Sequence, residues 1–169
     1  MNVTFAAIGN CQRYIVFFAV KQKQGKGTVR QIIWQKSNPP PMNGKYIYLS
    51  GIENAVWFKK RGGTFNANCK NTVFKYPCGK SKSHPTEKNH QLLKELILDN
   101  SNEGDIVFDP CCGSGANCKV AKENRRHYIG VEIDSDYYKI ANTNVNIMED
   151  NHERKNINSR NANYINQAI

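Results

Sequence analysis

Long hydrophobic runs are missing from this sequence. Its main apolar stretches, residues 3–8 and 14–20, are separated by Gln12 and Arg13, whereas a membrane-spanning helix needs about 20 consecutive apolar residues. No basic region precedes these stretches, as one would in a secretory signal peptide. The sequence therefore predicts a protein that does not span a membrane and that stays in the cytoplasm.

Paired metal-binding cysteines are also missing. The chain has six cysteines, but none stands in the C-x-x-C spacing of a zinc site, and no histidine-rich segment accompanies them. Thiols in the cytoplasm are normally kept reduced. We therefore expect no metal site and reduced thiols at the six positions, which are Cys11, Cys69, Cys78, Cys111, Cys112 and Cys118.

Acidic residues are scarce, since 14 Asp and Glu face 24 Lys and Arg, which gives a formal net charge of +10. Such an excess attracts a polyanion, because each basic side chain that meets a phosphate releases a condensed counterion. Nucleic acid is the first partner to consider, although a solvated basic surface explains the charge equally well. The candidate contacts lie in an aromatic, basic stretch and are Lys59, Lys60, Arg61, Lys70, Lys75, Lys80 and Lys82.

The hydrophobic pattern predicts strands at residues 3–8, 29–35, 46–49 and 55–58, with a helix between the first two. Residues 65–83 read as an irregular loop. An amphipathic helix follows residues 85–88, with Leu92, Leu93, Leu96 and Ile97 on one side. A strand at 105–108, a helix at 117–124 and a strand at 128–133 then form a βαβ unit, which implies a parallel sheet. A last helix is expected at 137–147.

The most informative segment is FDPCCGSG at residues 108–115, a glycine turn directly after a strand and directly before a helix. Glycines let the backbone approach a ligand, and ligands of open α/β sheets bind at the carboxyl ends of the strands. Glu132 ends the next strand, about 20 residues on, where an acid suits ribose hydroxyls. A P-loop is excluded because no Lys-Ser/Thr pair follows, and Cys118 replaces the third glycine of a dinucleotide fold. The alternative that this turn is purely structural and binds no ligand remains.

This turn, together with YIGVEID at residues 128–134 and HPTEK at residues 84–88, resembles the cofactor motifs of the N6-adenine/N4-cytosine DNA methyltransferases. The order of the segments is that of the permuted beta class. WQKSNPPP at 34–41 and ENAVWF at 53–58 look like the middle strands of that family. The resemblance covers nearly everything from Met1 to about residue 140. It implies a Rossmann-like α/β domain of a restriction-modification or phage methyltransferase that uses S-adenosylmethionine and acts on double-stranded DNA.

The resemblance also implies a layout and a set of site residues. One domain is expected over residues 1–147, with middle strands (1–60), a basic loop (61–83) and a cofactor-binding part (84–147). Composition, rich in Asn and poor in apolar residues, predicts a disordered tail over residues 148–169. Around the methionine part of S-adenosylmethionine the family places Asp109, Pro110, Cys111, Gly113, Ser114 and Gly115. Glu132 would hold the ribose with Ile133 beside the adenine, and the pocket would be bordered by His84, Thr86 and Lys88.

Alternatives and departures accompany these assignments. His84, Thr86 and Lys88 could simply precede a helix that Thr86 caps. Cys111 replaces a Phe of the family, which removes apolar contact and weakens cofactor binding by about 1 kcal/mol. Asn117 replaces a Thr, and Asn89 stands where a second Pro is common.

The catalytic motif of the family, Asp/Asn/Ser-Pro-Pro-aromatic, is not found in this sequence. Asn38 opens a partial match, Asn-Pro-Pro, but Pro41 stands in place of the aromatic residue that stacks on the target base. Residues 44–83 are also too few for the strands and helix that follow the motif in the family. Asn38 is therefore a weak catalytic candidate. We expect an incomplete parallel sheet that lacks the catalytic strand, because an N-terminal truncation of the permuted order removes that strand and spares the cofactor pocket.

Two functions remain. The first is a site-specific DNA methyltransferase, of adenine N6 or cytosine N4, that is a fragment or split subunit. It would be inactive alone, because a second polypeptide supplies the catalytic strand. The second is a non-catalytic remnant that binds S-adenosylmethionine or DNA without turnover.

Overall fold

The structure is a computed structural model that describes residues 5–7, 27–41, 44–79, 87–152 and 164–165, with side chains at 27–41, 44–79 and 87–146. The chain divides into two compact units, Met1–Cys78 and Gly79–Ile169. Their boundary falls within the stretch predicted as a basic loop. The predicted helix between the first two strands, together with His84 and Thr86, lies outside the described residues.

The first unit is a four-stranded sheet in the order β1-β3-β2-β4. Three of the predicted strands are confirmed, and the four elements are β1 (Phe5–Ala7), β2 (Gly27–Lys36), β3 (Ile52–Lys60) and β4 (Val73–Tyr76). β3 runs antiparallel to both β1 and β2, whereas β4 is parallel to β2. The sheet is mixed rather than parallel because β2 and β3 form a hairpin without a crossover helix. One face carries the buried core residues Ile32, Trp34, Ala55 and Phe74.

Two predictions for this unit are wrong. Residues 46–49 are not a strand. The ladder between β2 and β3 ends at the hydrogen bond from Lys36 N to Gly51 O, 2.8 Å, so these residues lie in the connection beyond it. Residues 65–83 are not wholly irregular, because Val73–Tyr76 pair with the end of β2.

The second unit contains the predicted βαβ arrangement. Its elements are α1 (His90–Asn100), β5 (Ile106–Asp109), α2 (Ala116–Glu123), β6 (His127–Gly130), α3 (Ser135–His152) and β7 (Tyr164–Ile165). The sheet order is β5-β6-β7, and both pairs are parallel, which confirms the parallel βαβ unit. β6 ends at Gly130, so Glu132 follows the strand rather than ending it. Among the described residues, no helix is long and apolar enough to cross a membrane.

The helices of this unit pack as their sequence pattern predicts. Leu92, Leu93, Leu96 and Ile97 of α1 are buried, and each such side chain contributes about 1.5–3 kcal/mol. Asn89 caps the start of α1, because its Oδ1 accepts hydrogen bonds from Gln91 N and Leu92 N. Asn89, a departure from the family's Pro, thus supplies the N-cap that Thr86 was considered for.

Two short parts of the Asn-rich segment 148–169 belong to regular elements. α3 continues to His152, and Tyr164–Ile165 pair in parallel with β6. An open edge of a parallel sheet accepts a strand through backbone hydrogen bonds, so a segment poor in apolar residues can still join it.

Candidate cofactor site

The glycine turn occupies the space between the end of β5 and the start of α2, where the sequence placed it. Gly113 and Gly115 have positive φ values of 53° and 78°, which residues with a Cβ rarely adopt. A Cβ on Gly115 would also lie 3.0 Å from the Cβ of Ala141 in α3. The turn therefore requires glycine for its own conformation and for the close approach of α3.

Asp109 is the last residue of β5, and its carboxylate is fixed by two hydrogen bonds. Oδ1 accepts from Cys111 N at 3.1 Å, and Oδ2 accepts from the Asn117 side-chain amide at 2.7 Å. Asn117, which stands in place of the family's Thr, therefore orients the carboxylate of Asp109. A negative charge is held at the carboxyl end of the strand.

Glu132 reaches back from the segment after β6 to the glycine turn. Its Oε2 accepts from Gly113 N at 2.7 Å, and its Oε1 accepts from Asp134 N at 3.0 Å. A backbone bond from Cys112 N to Val131 O, 2.9 Å, supports the same approach. Two segments that the sequence singled out separately are thus in direct contact at one end of the parallel sheet.

Ser114 points into the protein. It is 3% exposed, and its hydroxyl donates to Glu87 Oε2 at 2.7 Å, while Glu87 Oε1 lies 3.1 Å from His90 Nε2. The Asn144 side chain of α3 donates to Ser114 O at 2.9 Å. The segment before α1 therefore meets the turn through Glu87, which sequence reasoning did not select although it lies inside the HPTEK string.

Three other predicted site residues are less buried than Ser114. Ile133, next to Glu132, is 93% exposed. Pro110 and Lys88 are half-buried. The binding roles assigned to these residues, and to the rest of the site, stay predictions.

The five described cysteines are free thiols. Cys111 and Cys112 belong to the glycine turn, and Cys118 lies in α2. Cys111 is exposed, and partial burial followed by the charges of Asp109 and Glu132 raises its pKa. The buried Cys118 thiol donates a hydrogen bond to Cys112, and this bond together with burial raises the pKa of Cys118. A Cβ on Gly130 would lie 2.8 Å from Cys118 Sγ and 3.1 Å from Cys112 Sγ, so the two buried sulfurs pack against this glycine.

The weak catalytic candidate Asn38 lies in the first unit. Its Oδ1 accepts a hydrogen bond from Cys78 N at 2.6 Å, and Ser37 N donates to Tyr76 O at 3.1 Å. These bonds tie the Pro-rich loop to the segment that ends β4. The amide oxygen of Asn38 thus has a structural partner.

The basic candidates of the first unit lie at its surface. Lys59 is half-buried, whereas Lys60, Arg61, Lys70 and Lys75 are exposed. Lys80 and Lys82 lie outside the described residues.

Comparison with known proteins identifies relatives of this chain. The family model described as DNA methylase matches residues 2–143. The type II methyltransferase M2.DpnII of Streptococcus pneumoniae is 30% identical in an alignment of 150 positions that covers 76% of this chain and 54% of that protein. The DNA adenine methyltransferase YhdJ of Escherichia coli is 35% identical over 116 residues, 68% of this chain and 34% of that protein.

Solved structures give the same result. The complex of M1.HpyAVI with SAM superposes with a TM-score of 0.61 at 32% identity, covering 71% of this chain and 63% of that one. The cytosine-N4-specific PvuII DNA methyltransferase, with a TM-score of 0.51 and 18% identity, shares the fold. The fold is therefore Rossmann-like, and the chain spans about half the length of the curated relatives it matches. Because the family match extends over most of the sequence, this chain belongs to the N6-adenine/N4-cytosine DNA methylase family.

Proposed function

We propose that this chain is the cofactor-binding part of a DNA amino-methyltransferase that uses S-adenosylmethionine to methylate adenine N6 or cytosine N4. The observation that carries the proposal is the hydrogen bond from Gly113 N to Glu132 Oε2, because it joins the glycine turn to the acid after the neighbouring strand. Two relatives support the chemistry by name, since one is a DNA adenine methyltransferase and another was solved as a SAM complex.

The residues around the turn fit a nucleoside that carries an amino-acid chain. A carboxylate has about four lone-pair sites, and the backbone amides of Gly113 and Asp134 use two of those on Glu132. Glu132 therefore keeps acceptors for two ribose hydroxyls. Ile133 beside it offers an exposed apolar side chain to the adenine, and the carboxylate of Asp109 offers a fixed charge to the cationic groups of the cofactor.

When bound, S-adenosylmethionine supplies an electrophilic methyl group. The contribution of this chain is to hold and orient that group, a form of catalysis by positioning. Asn117 fixes Asp109, and Glu132 fixes Gly113. His84, Thr86 and Lys88 are proposed to border the same pocket, which the contact of the intervening Glu87 with Ser114 supports.

The catalytic motif is proposed to come from polypeptide outside these 169 residues, either a second chain or a further part of a longer one. The sequence contains no Asp/Asn/Ser-Pro-Pro-aromatic string, and Asn38 already binds the backbone of Cys78. The motif is needed because an exocyclic amine must be held by hydrogen-bond acceptors and its base stacked before it can attack the methyl group.

Cofactor binding can be tested by calorimetry with S-adenosylhomocysteine, the stable product. Glu132→Ala is expected to weaken binding about 10- to 100-fold, because it removes charged hydrogen bonds worth about 1.5–3 kcal/mol. Glu103→Ala is the matched control, since Glu103 pairs with Arg125 in an exposed ion pair at 3.2 Å. Equal affinity of all three proteins would remove Glu132 from the site.

Methyl transfer can be tested with tritiated S-adenosylmethionine and mixed genomic DNA, which needs no knowledge of the target sequence. The purified chain alone is expected to transfer no label. Activity is expected when a neighbouring gene product that carries a strand followed by Asp-Pro-Pro-Tyr, or a close variant, is added. Transfer by the lone chain that is lost in Asn38→Ala would show that the catalytic segment lies at Asn38. Cofactor binding without transfer in any mixture would favour the non-catalytic remnant.

A further inference from the structure

An exposed aromatic loop in the first unit is not explained by the cofactor site. It lies within the β2–β3 connection, residues 37–51, which has no helix or strand in its described part. Connections of this length inside a compact unit are uncommon and are often functional. We call residues 44–50 the tyrosine loop.

The tyrosine loop exposes four consecutive large side chains. Tyr46 is 80% exposed, Ile47 60%, Tyr48 102% and Leu49 42%. Single exposed apolar residues are ordinary, but contiguous ones mark interaction sites. Tyr46 and Tyr48 therefore contribute little to the packing of the first unit, and their rings are available to a partner.

The base of this loop is held in place. Lys36 N donates to Gly51 O at 2.8 Å, and Gly44 N donates to Pro41 O at 3.2 Å. Directly below, the ion pair between Lys36 Nζ and Glu53 Oε1, 3.0 Å, is nearly buried. Three consecutive prolines, residues 39–41, further restrict the backbone. The rings thus project from a constrained support, which lowers the entropy that is lost on binding.

The charge and chemistry of the loop suit nucleic acid. Residues 37–51 include no Asp or Glu and one Lys, and Lys45 Nζ lies 5.8 Å from the centre of the Tyr46 ring. Aromatic rings beside a cation bind unpaired bases by stacking while the cation faces the phosphates. The net charge of +10 favours the same partner.

We propose that Tyr46 and Tyr48 stack on unpaired bases of DNA. The inference rests on the proposed function, because a methyltransferase that withdraws a base from the duplex leaves bases unpaired. The loop would hold this opened DNA near the protein independently of the cofactor turn.

The test uses the full 169-residue chain and a single-stranded oligonucleotide containing 2-aminopurine, with the fully paired duplex as comparison. Affinity is measured by anisotropy, and stacking by quenching of the 2-aminopurine fluorescence. Tyr46→Ala and Tyr48→Ala are each expected to lower single-strand affinity about 5- to 100-fold and to remove quenching. Duplex affinity should change less. Tyr48→Phe keeps the ring and is expected to behave as the parent protein.

Two controls separate stacking from other effects. Ile47→Ala removes an exposed apolar side chain without a ring and should leave both signals unchanged. Lys45→Ala should weaken single-strand and duplex binding alike and reduce their salt dependence. Undiminished binding and quenching in both Tyr→Ala variants would overturn the proposal. It would also be overturned if these variants changed the oligomeric state, by light scattering, with DNA affinity intact, since the loop would then be a protein interface.

The two proposals fail separately. The Tyr→Ala variants should bind S-adenosylhomocysteine like the parent chain, because the tyrosine loop belongs to the first unit and the glycine turn to the second. A parent chain that binds S-adenosylhomocysteine but does not quench 2-aminopurine contradicts the loop proposal alone, whereas a parent chain that quenches 2-aminopurine but binds no cofactor contradicts the proposed function.

Discussion

Glu132 shows which properties of a site residue can be read from a sequence. An acid soon after the second strand of a βαβ unit meets the loop after the first strand whenever the two strands are parallel neighbours, so its position was predictable. Its partners were not, because the bond from Gly113 N depends on the φ of the turn. The link between Glu87 and Ser114 was missed because it depends on where α1 begins.

Cys111 allows a test of the electrostatics of the turn. Its pKa is raised by partial burial and then by the carboxylates of Asp109 and Glu132, so its reactive thiolate forms only at higher pH. Alkylation of Cys111 by iodoacetamide, followed by peptide mass spectrometry, should rise with pH about a midpoint above the usual value of about 8.5. Glu132→Gln removes one charge and should lower that midpoint. An unchanged midpoint would contradict the charge effect, and Cys69 provides an exposed thiol in the same sample.

Gly115 is expected to tolerate no side chain. Gly115→Ala places a Cβ at a φ of 78° and 3.0 Å from Ala141 Cβ, so left-handed strain and overpacking together should reduce the free energy of unfolding by about 2–4 kcal/mol. Gly104→Ala is a matched control, because Gly104 has a φ of 81° and no heavy atom within 4 Å of the added Cβ. Its cost should be about 1–2 kcal/mol. Urea unfolding measures both, and equal losses would mean that α3 does not approach the turn so closely.

At the scale of elements, the sequence pattern predicted those helices and strands that depend on interactions between residues close in the chain. The βαβ unit combines a strand, a glycine turn and an amphipathic helix in consecutive residues, and these elements were predicted, although the second strand, β6, ends at Gly130 and not at residue 133. β4 was missed because four residues, Val73–Tyr76, become a strand only by pairing with the end of β2. Residues 46–49 were wrongly predicted as a strand, since aromatic and β-branched residues are enriched in strands, whereas here they lie exposed in the β2–β3 connection.

The contact between the segment before α1 and the turn after β5 can be measured as a coupling energy. In a double-mutant cycle of Glu87→Ala and Ser114→Ala, the hydrogen bond of 2.7 Å should give a non-additive contribution to unfolding of about 0.5–3 kcal/mol. Pairing Ser114→Ala with Glu103→Ala, a residue whose ion pair with Arg125 is exposed, should give additive losses. Additivity in the Glu87 cycle would show that the two segments are not energetically connected.

At the scale of the whole molecule, the length and net charge of the chain said least about its function. A net charge of +10 is compatible with DNA binding and with simple solubility, and the charge by itself does not distinguish the two. The motifs in turn identified the family but did not show which surface lysines meet DNA, because the sequence pattern does not determine which exposed side chains face a phosphate.

Binding of duplex DNA by the whole chain is expected to be weakly sequence-dependent and strongly salt-dependent. If about four basic side chains meet phosphates, log K should fall with log[salt] at a slope of about −3.6. Lys60→Ala/Lys75→Ala, in the first unit, should flatten this slope by about 1.8. Lys94→Ala/Lys139→Ala removes the same charge from exposed positions of the second unit and should change the slope little. Fluorescence anisotropy at several salt concentrations measures these slopes.

If the two double variants change the slope equally, the charge acts diffusely rather than through the first unit. Binding that is absent at low ionic strength would mean that the excess of basic residues serves solubility.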